Sequence, residues 1–310
     1  MKYAPIALFV YNRPWHTRQT VEALKKNELS TESELYIFSD APRSESANDA
    51  VGEVRAYIRN ITVFKSITII ERETNYGLAR SIIEGVTRLC NEFGRVIVLE
   101  DDLVTSPYFL RYMNDALKIY ENVNQVASVS GYMYPIKLPI EDQFFFWTIP
   151  QSWGWAAWQR SWKYFNENGK DLYKNIMRAG LSRIFNKRGP QPFIKMLKDQ
   201  IEGKNSSWYI RWYASTFLEK KLTLMPATSL VKNIGIDGTG EHCSNWKFDP
   251  FMTNVAEKPV NVKLVKIEKN QKITLKMEKY FRKVKILRYV NYIFRVLSNT
   301  KKIFMKKGFV

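Results

Sequence analysis

Cysteine is almost absent from this chain of 310 residues. Its two cysteines, Cys90 and Cys243, lie far apart with no Cys-x-x-Cys spacing. That argues against a disulfide framework and a thiolate zinc site, and it suits a reducing cytosol. No stretch reaches the roughly 18 consecutive apolar residues of a membrane span. The apolar run near the start, which ends at Val10, is too short for a secretory leader. A Gly-rich phosphate loop is also missing after this first run, where Tyr11-Asn12-Arg13-Pro14 stands instead. No recognised nucleic-acid motif accompanies the positive charge.

What is present is apolar and aromatic. Hydrophobic residues make up 45% and aromatics 14%, enough for a sizeable core in one large domain or one domain with an appendage. The net charge of +18 is unevenly placed. From Lys263 onward fifteen Lys or Arg face two acids, Glu268 and Glu278, a net of +13 that leaves +5 for the preceding 262 residues. The basicity therefore belongs to the C-terminal end.

The first hundred residues alternate short apolar runs with helical patterns. Residues 4–11, 35–38, 67–70 and 96–99 read as strands, and 18–26, 49–59 and 78–92 as helices. Such alternation predicts βαβ units and a parallel sheet, whose ligands gather at the carboxyl ends of its strands. Asn12-Arg13, Asp40 and Glu100-Asp101-Asp102 all fall at such ends. Three adjacent carboxylates repel one another and lose hydration if buried. A cation removes that cost, and a hard divalent ion with oxygen ligands, Mn²⁺ or Mg²⁺, is a natural partner. The bland alternative is a solvated turn.

Beyond residue 103, Ser106-Pro107 opens a predicted helix to about Tyr120, and 126–130 and 222–226 read as strands. Aromatics crowd Phe144 to Trp147, Trp153-Gly154-Trp155 with Trp158 and Trp162, and Trp208 to Tyr213. Most of these read as core, while indole at Trp153 and Trp155, beside Gly154, also suits the apolar face of a sugar. Residues 233–242 form a Gly-rich polar loop able to offer backbone N–H groups to phosphate. From Asn270 to Ser298, apolar residues recur at Met277, Tyr280 or Phe281, Val284, Leu287, Val290, Ile293 or Phe294 and Leu297, with Lys276, Lys279, Arg282, Lys283, Lys285, Arg288 and Arg295 on the opposite face. That pattern predicts a basic amphipathic helix suited to an anionic membrane surface.

In this order the motifs resemble those of a GT-A glycosyltransferase: Asn12-Arg13-Pro14, Ser39-Asp40, Asn75-Tyr76-Gly77-Leu78, Val98 to Leu103, Trp153-Gly154-Trp155 and the closing Gly-rich loop. Over about residues 4–250 the chain is similar to bacterial family-2-like sugar transferases that share features with N-acetylglucosaminyltransferase I. The resemblance implies an α/β, Rossmann-like nucleotide-diphospho-sugar transferase fold with a mostly parallel central sheet and a C-terminal basic helical tail. The implied domain spans 1–260, with a nucleotide-binding half (1–103) and an acceptor half (104–260), followed by the tail (261–310).

The resemblance also implies roles. Asp102 ligates the metal, with His242 a further candidate. Asp101 contacts ribose, Glu100 the donor sugar and Asp40 the uracil ring, with Tyr11, Asn12, Arg13, Asn75 and Arg80 around the donor. Trp153, Gly154 and Trp155 line the acceptor. The family's catalytic base lies in a Trp-Asp-Asp-Trp segment, whereas Trp208-Tyr209-Ile210-Arg211-Trp212 has no carboxylate. The base must then be Asp199, Glu202, Asp237 or Glu241, with Asp199 placed first. The implied reaction is metal-dependent, inverting sugar transfer to a glycan or lipid-linked glycan in bacterial surface polysaccharide, lipopolysaccharide or glycoprotein glycan synthesis. Its place would be the cytoplasm, peripheral at the inner face of the membrane, with no nucleic-acid partner. A sugar nucleotidyltransferase and a non-catalytic basic binding protein are the rival readings.

Overall fold

A computed structural model describes residues 2–139, 142–188, 190–238 and 249–306. Ten strands and ten helices follow one another among them. The first half contains β1 (Ile6–Val10), α1 (Pro14–Lys25), β2 (Glu34–Ser39), α2 (Asn48–Ile58), β3 (Ser66–Glu71), α3 (Gly77–Phe93) and β4 (Arg95–Glu100). Next come β5 (Leu103–Thr105), α4 (Phe109–Ile119), β6 (Val126–Ser130), β7 (Phe144–Trp147) and β8 (Trp155–Trp158). The helices α5 (Gln159–Trp162), α6 (Gly169–Arg178), α7 (Ser182–Phe185), α8 (Phe193–Ile201) and α9 (Trp208–Leu218) follow. The last elements are β9 (Leu222–Pro226), β10 (Val231–Asn233) and α10 (Gln271–Lys306).

Eight strands form one sheet in the order β3-β2-β1-β4-β8-β6-β9-β7. The first four are mutually parallel. β8 then runs antiparallel to both β4 and β6, β9 is parallel to β6, and β7 is antiparallel to β9. The sheet is therefore mixed, which corrects the expectation of a mostly parallel one. The expectation extended the βαβ rhythm of the first hundred residues into a region where no helix of crossover length separates β7 from β8.

The parallel half shows why its sequence folds so. Along β1, Ile6, Leu8 and Val10 enter one core, while Ala7 and Phe9 enter the other. Both faces are covered, so the strand reads as an unbroken apolar run. The first core lies under α2 and α4, and the second under α3 with a cluster of Trp155, Trp162, Trp208 and Trp212. The chain leaves β1 toward β2 on one side, and β4 returns on the other side of β1. That reversal opens a crevice beyond the carboxyl ends of β1 and β4.

The chain after β10 packs in part on the domain. Ala256 and Val260 are buried with the first core, and Val262, Val265 and Ile267 pack against it. Ile273, Met277 and Phe281 of α10 are buried in a third cluster with Phe145, Phe185, Tyr213 and Met225. Among the described residues no helix is long and apolar enough to cross a membrane.

Candidate active site

The crevice between β1 and β4 is lined by the residues that directly follow those strands. Pro14 starts α1 at a first-turn position, where its missing N–H costs nothing. The carbonyl of Arg13 accepts from both the backbone N–H and the hydroxyl of Thr17, at 2.9 Å each. One turn later the Thr20 hydroxyl donates to the carbonyl of Asp101 at 2.8 Å. The start of α1 is thereby tied to the acid run.

Arg13 is the cation that the three carboxylates need. Its Nη1 donates to Asp102 Oδ2 at 2.8 Å and lies 4.0 Å from Asp101 Oδ1. The backbone N–H of Tyr11 donates to Asp101 Oδ2 at 3.3 Å. One guanidinium does not neutralise three acids. Burial, then the charge of Asp102, pushes the Glu100 carboxyl well above the usual carboxylate range. Asp101 is raised for the same two reasons, and burial raises Asp102 against the opposing pull of Arg13.

A segment 128 or more residues further on closes over these acids. β10 pairs antiparallel with β5, with Asn233 opposite Leu103. The N–H of Ile234 then donates to the carbonyl of Asp102 at 2.9 Å, and that of Gly235 to Asn233 Oδ1 at 2.7 Å. A Cβ on Gly235 would stand 2.0 Å from Asp102 Oδ2 and 2.9 Å from Arg13 Nη1. Any side chain at this position would have to displace the Asp102 carboxylate and the end of Arg13. Two residues later Asp237 reaches Arg13 Nη2 at 3.5 Å and His16 Nε2 at 3.0 Å.

Sequence reasoning missed His16. It is buried on α1, and burial first and the Arg13 charge second hold its pKa below the usual imidazole value, against the pull of Asp237. The ring is therefore neutral near pH 7, with its proton on the Nε2 that faces the carboxylate. Trp15 was missed too. It is 58% exposed and packs edge-on against His16 with ring centroids 4.9 Å apart. The available signal was spacing: a helix begun by Pro14 puts His16 three residues from Arg13, on one face.

The structure thus brings together Tyr11, Arg13, Glu100, Asp101, Asp102 and Asp237. Asn12 is half-buried in the same β1–α1 loop. Asp40 and Asn75 form an adjoining cluster, joined to β1 through the Asp40 N–H on the Val10 carbonyl at 3.1 Å. The Asp40 carboxylate accepts from the N–H groups of Ala41, Tyr76 and Gly77 at 2.8–2.9 Å and from Asn75 Nδ2 at 3.2 Å. A carboxylate has about four acceptor positions, so protein donors already occupy the capacity expected for a uracil ring. Arg80 lies on α3, paired with Glu84 at 3.3 Å and stacked on Tyr76 at 3.7 Å.

The acceptor candidates separate. Trp155 is 1% exposed, and its indole stacks on Trp208 at 5.2 Å inside the core. It offers no open face, which corrects its expected place on an acceptor groove. Gly154 has φ +62°, and a Cβ there would meet Val231 at 2.7 Å, so packing and backbone shape require glycine. Trp153 is half-buried, edge-on to Tyr132 at 4.6 Å. Asp199 sits on α8 in an ion pair with Lys195 at 2.5 Å, and Glu202 pairs with Lys204 at 2.5 Å. Among the described residues no hydrogen bond or ion pair joins either acid to the crevice. Glu241 and His242 lie outside the described residues.

The donor set bears on a divalent ion directly. Among the described residues no group of three or more His, Cys, Asp or Glu side chains is arranged to chelate a metal. Among the described residues the donors do not form an all-protein cage. The crevice instead concentrates hard oxygen donors whose charge Arg13 leaves partly uncompensated. That suits Mg²⁺ or Mn²⁺ held by one or two carboxylates and completed by substrate phosphates.

No family model matches this chain, and no curated protein matches it. Solved structures similar to it include the mannosyltransferase PcManGT from Pyrobaculum calidifontis in complex with GDP-Man and Mn²⁺. That pair is 13% identical over 70% of each chain, with a TM-score of 0.35. Mouse xyloside xylosyltransferase 1 is 12% identical over 61% of this chain and 76% of its own, with a TM-score of 0.35. The 1–349 fragment of S. aureus TarS is 13% identical, with a TM-score of 0.33, and the match spans 50% of this chain and about half (47%) of that fragment.

Proposed function

We propose that the chain is a metal-dependent glycosyltransferase that moves a sugar from a nucleotide-diphosphate donor, UDP-linked in the first instance, to a hydroxyl of a glycan or lipid-linked glycan. One observation carries the reading: an under-neutralised acid run at the reversal of strand order, with Gly235 packed directly against Asp102 and Arg13. Such a crevice favours a ligand that brings cations with its own charge, as a metal diphosphate does.

Asp102, supported by Asp101 and Glu100, would hold Mn²⁺ or Mg²⁺, which when bound would supply Lewis-acid charge to the departing diphosphate. Arg13, already in the crevice, turns its guanidinium to phosphate oxygens. Tyr11, Asn12 and the N–H groups near Asn75 and Gly77 border the nucleotide. The bond from the acceptor oxygen to the anomeric carbon forms as the bond to the diphosphate oxygen breaks, with inversion. The diphosphate leaves with the electron pair, and a carboxylate takes the acceptor's proton. Asp237 is assigned that role in place of Asp199. His16 and Arg13 orient its two oxygens, and 41% side-chain exposure leaves it open to an incoming hydroxyl. Trp153 remains the candidate for the acceptor side.

The acceptor is placed in bacterial surface-glycan synthesis, which sets the enzyme in the cytoplasm at the inner membrane face. UDP release from UDP-sugars in the presence of Mn²⁺ tests the reading. Asp102→Asn is expected to lower the rate about a hundredfold or more, the scale of removing one preorganised electrostatic contact. Undiminished turnover in that variant refutes the metal assignment. Release of pyrophosphate in place of UDP selects a nucleotidyltransferase.

A further inference from the structure

The basic helix α10 has two apolar faces, and the domain uses only one. Ile273, Met277, Phe281 and Val284 recur at helical spacing and are buried against the domain. Glu278 is buried beside them and pairs with Arg188 at 3.8 Å. Further along, Arg288 reaches Gln191 at 3.4 Å. This inner face contains the very residues from which the sequence pattern predicts membrane contact.

The outer face is a different set. Leu275, Ile286, Tyr289 and Ile293 are each more than half exposed. Leu275, Ile286 and Ile293 are separated by about three and two helical turns, so they share one stripe. Lys279 and Arg282 lie on the same side between Leu275 and Ile286, Lys272, Lys276, Lys283 and Lys285 lie beside it, and all six are exposed. Among the described residues none of these six cations has a carboxylate within ion-pair distance. Exposed apolar side chains set among unpaired cations match an interface with an apolar interior and an anionic surface.

We propose that the outer face of α10 rests on an anionic lipid bilayer while its inner face holds the domain. Leu275, Ile286, Tyr289 and Ile293 enter the headgroup boundary, and the flanking lysines meet lipid phosphates. The inference deepens the membrane-acceptor part of the proposed function and rests on it. It moves the contact away from Met277, Phe281 and Val284, which the sequence pattern names and the domain buries, to an exposed side that shares only Ile293 with that pattern.

Co-sedimentation of the full chain, without nucleotide, tests it. The probes are vesicles of phosphatidylglycerol with phosphatidylcholine and vesicles of phosphatidylcholine alone. The chain is expected to bind the first, in a salt-sensitive way, and to bind the second far less. Leu275→Glu with Ile286→Glu should lower binding about tenfold for each residue, with an unchanged melting temperature. Lys276→Gln, Lys279→Gln and Lys283→Gln together should cost about fivefold for each lysine and flatten the salt dependence. Binding unchanged in the double glutamate variant overturns the proposal. So does equal binding to both vesicles, or binding of a DNA duplex, lost in the lysine variants, by a chain that ignores vesicles. Vesicle binding that persists while no sugar donor is turned over refutes the transferase reading alone.

Discussion

Asp40 shows how a carboxylate at a strand end can be consumed by its own fold. The start of α3 leaves N–H groups without intrahelical partners, and the Asp40 side chain satisfies those of Tyr76 and Gly77. Asp40→Ala is expected to lower stability by about 2 kcal/mol in a urea titration, the scale of losing a helix cap and its hydrogen bonds. Unchanged stability with lost UDP binding would return Asp40 to the base-recognition role implied by the sequence. Lys187 is a second buried charge with a measurable effect. Its ammonium lies 5.4 Å from the Trp147 ring centre and 5.6 Å from that of Tyr213, and it reaches the Thr148 hydroxyl. Burial, helped by Lys269 and opposed by Glu278, pushes its pKa down to about 7. An unfolded lysine titrates near 10.4. Between those values the unfolded chain binds the extra proton, so this group's contribution to stability rises with pH across that window. Lys187→Met should therefore stabilise the protein at pH 6, by about 1–3 kcal/mol. The gain should shrink as melting is followed toward pH 10.

Among the elements, α10 carries the clearest expectation. Truncation after residue 270 removes Ile273, Met277 and Phe281 from the third core, along with the buried Val284. Loss of each buried side chain of this size costs about 2–5 kcal/mol. The truncated chain should therefore melt much earlier and bind a hydrophobic dye. A truncated chain as stable as the whole would show that α10 only lies against the domain. This also explains what was legible in the sequence. The strands and helices up to Glu100 were legible because β1, β2 and β4 are buried on both faces, β3 is a run of β-branched residues, and each helix has one apolar side. The strands β7 and β8 were not, because runs of Phe and Trp fill a core in any backbone conformation, and their four residues are too few to show a period. The acid run was legible because charge at the end of an apolar strand is unusual. Its counter-ion was not, because the link from Arg13 to Asp102 is made in space, across 89 residues. The same holds for Asp237 and His16. For α10, the apolar spacing was visible, but a sequence does not say which of two apolar faces meets protein.

Over the whole molecule, the parallel half supplies the crevice and the antiparallel half supplies its walls and roof. Ligand binding should therefore report on the entire fold. UDP with Mn²⁺ at a hundredfold excess over Kd should stabilise the chain by about 2.7 kcal/mol. UDP alone should give a smaller thermal shift, because the acid run repels an uncompensated diphosphate. Equal shifts with and without the ion would show that Arg13 suffices as the only cation. The pairing of β10 with β5 has a consequence for synthesis. The acids emerge from the ribosome with β1 and Arg13 already made, but Gly235 and Asp237 follow more than 130 residues later. A nascent chain can assemble the floor of the crevice early, while its roof waits for almost the last strand. Closing so long a loop comes late in folding. The chain therefore cannot complete this site before residue 237 has been translated, so shorter copies lack the Asp237 contacts to Arg13 and His16.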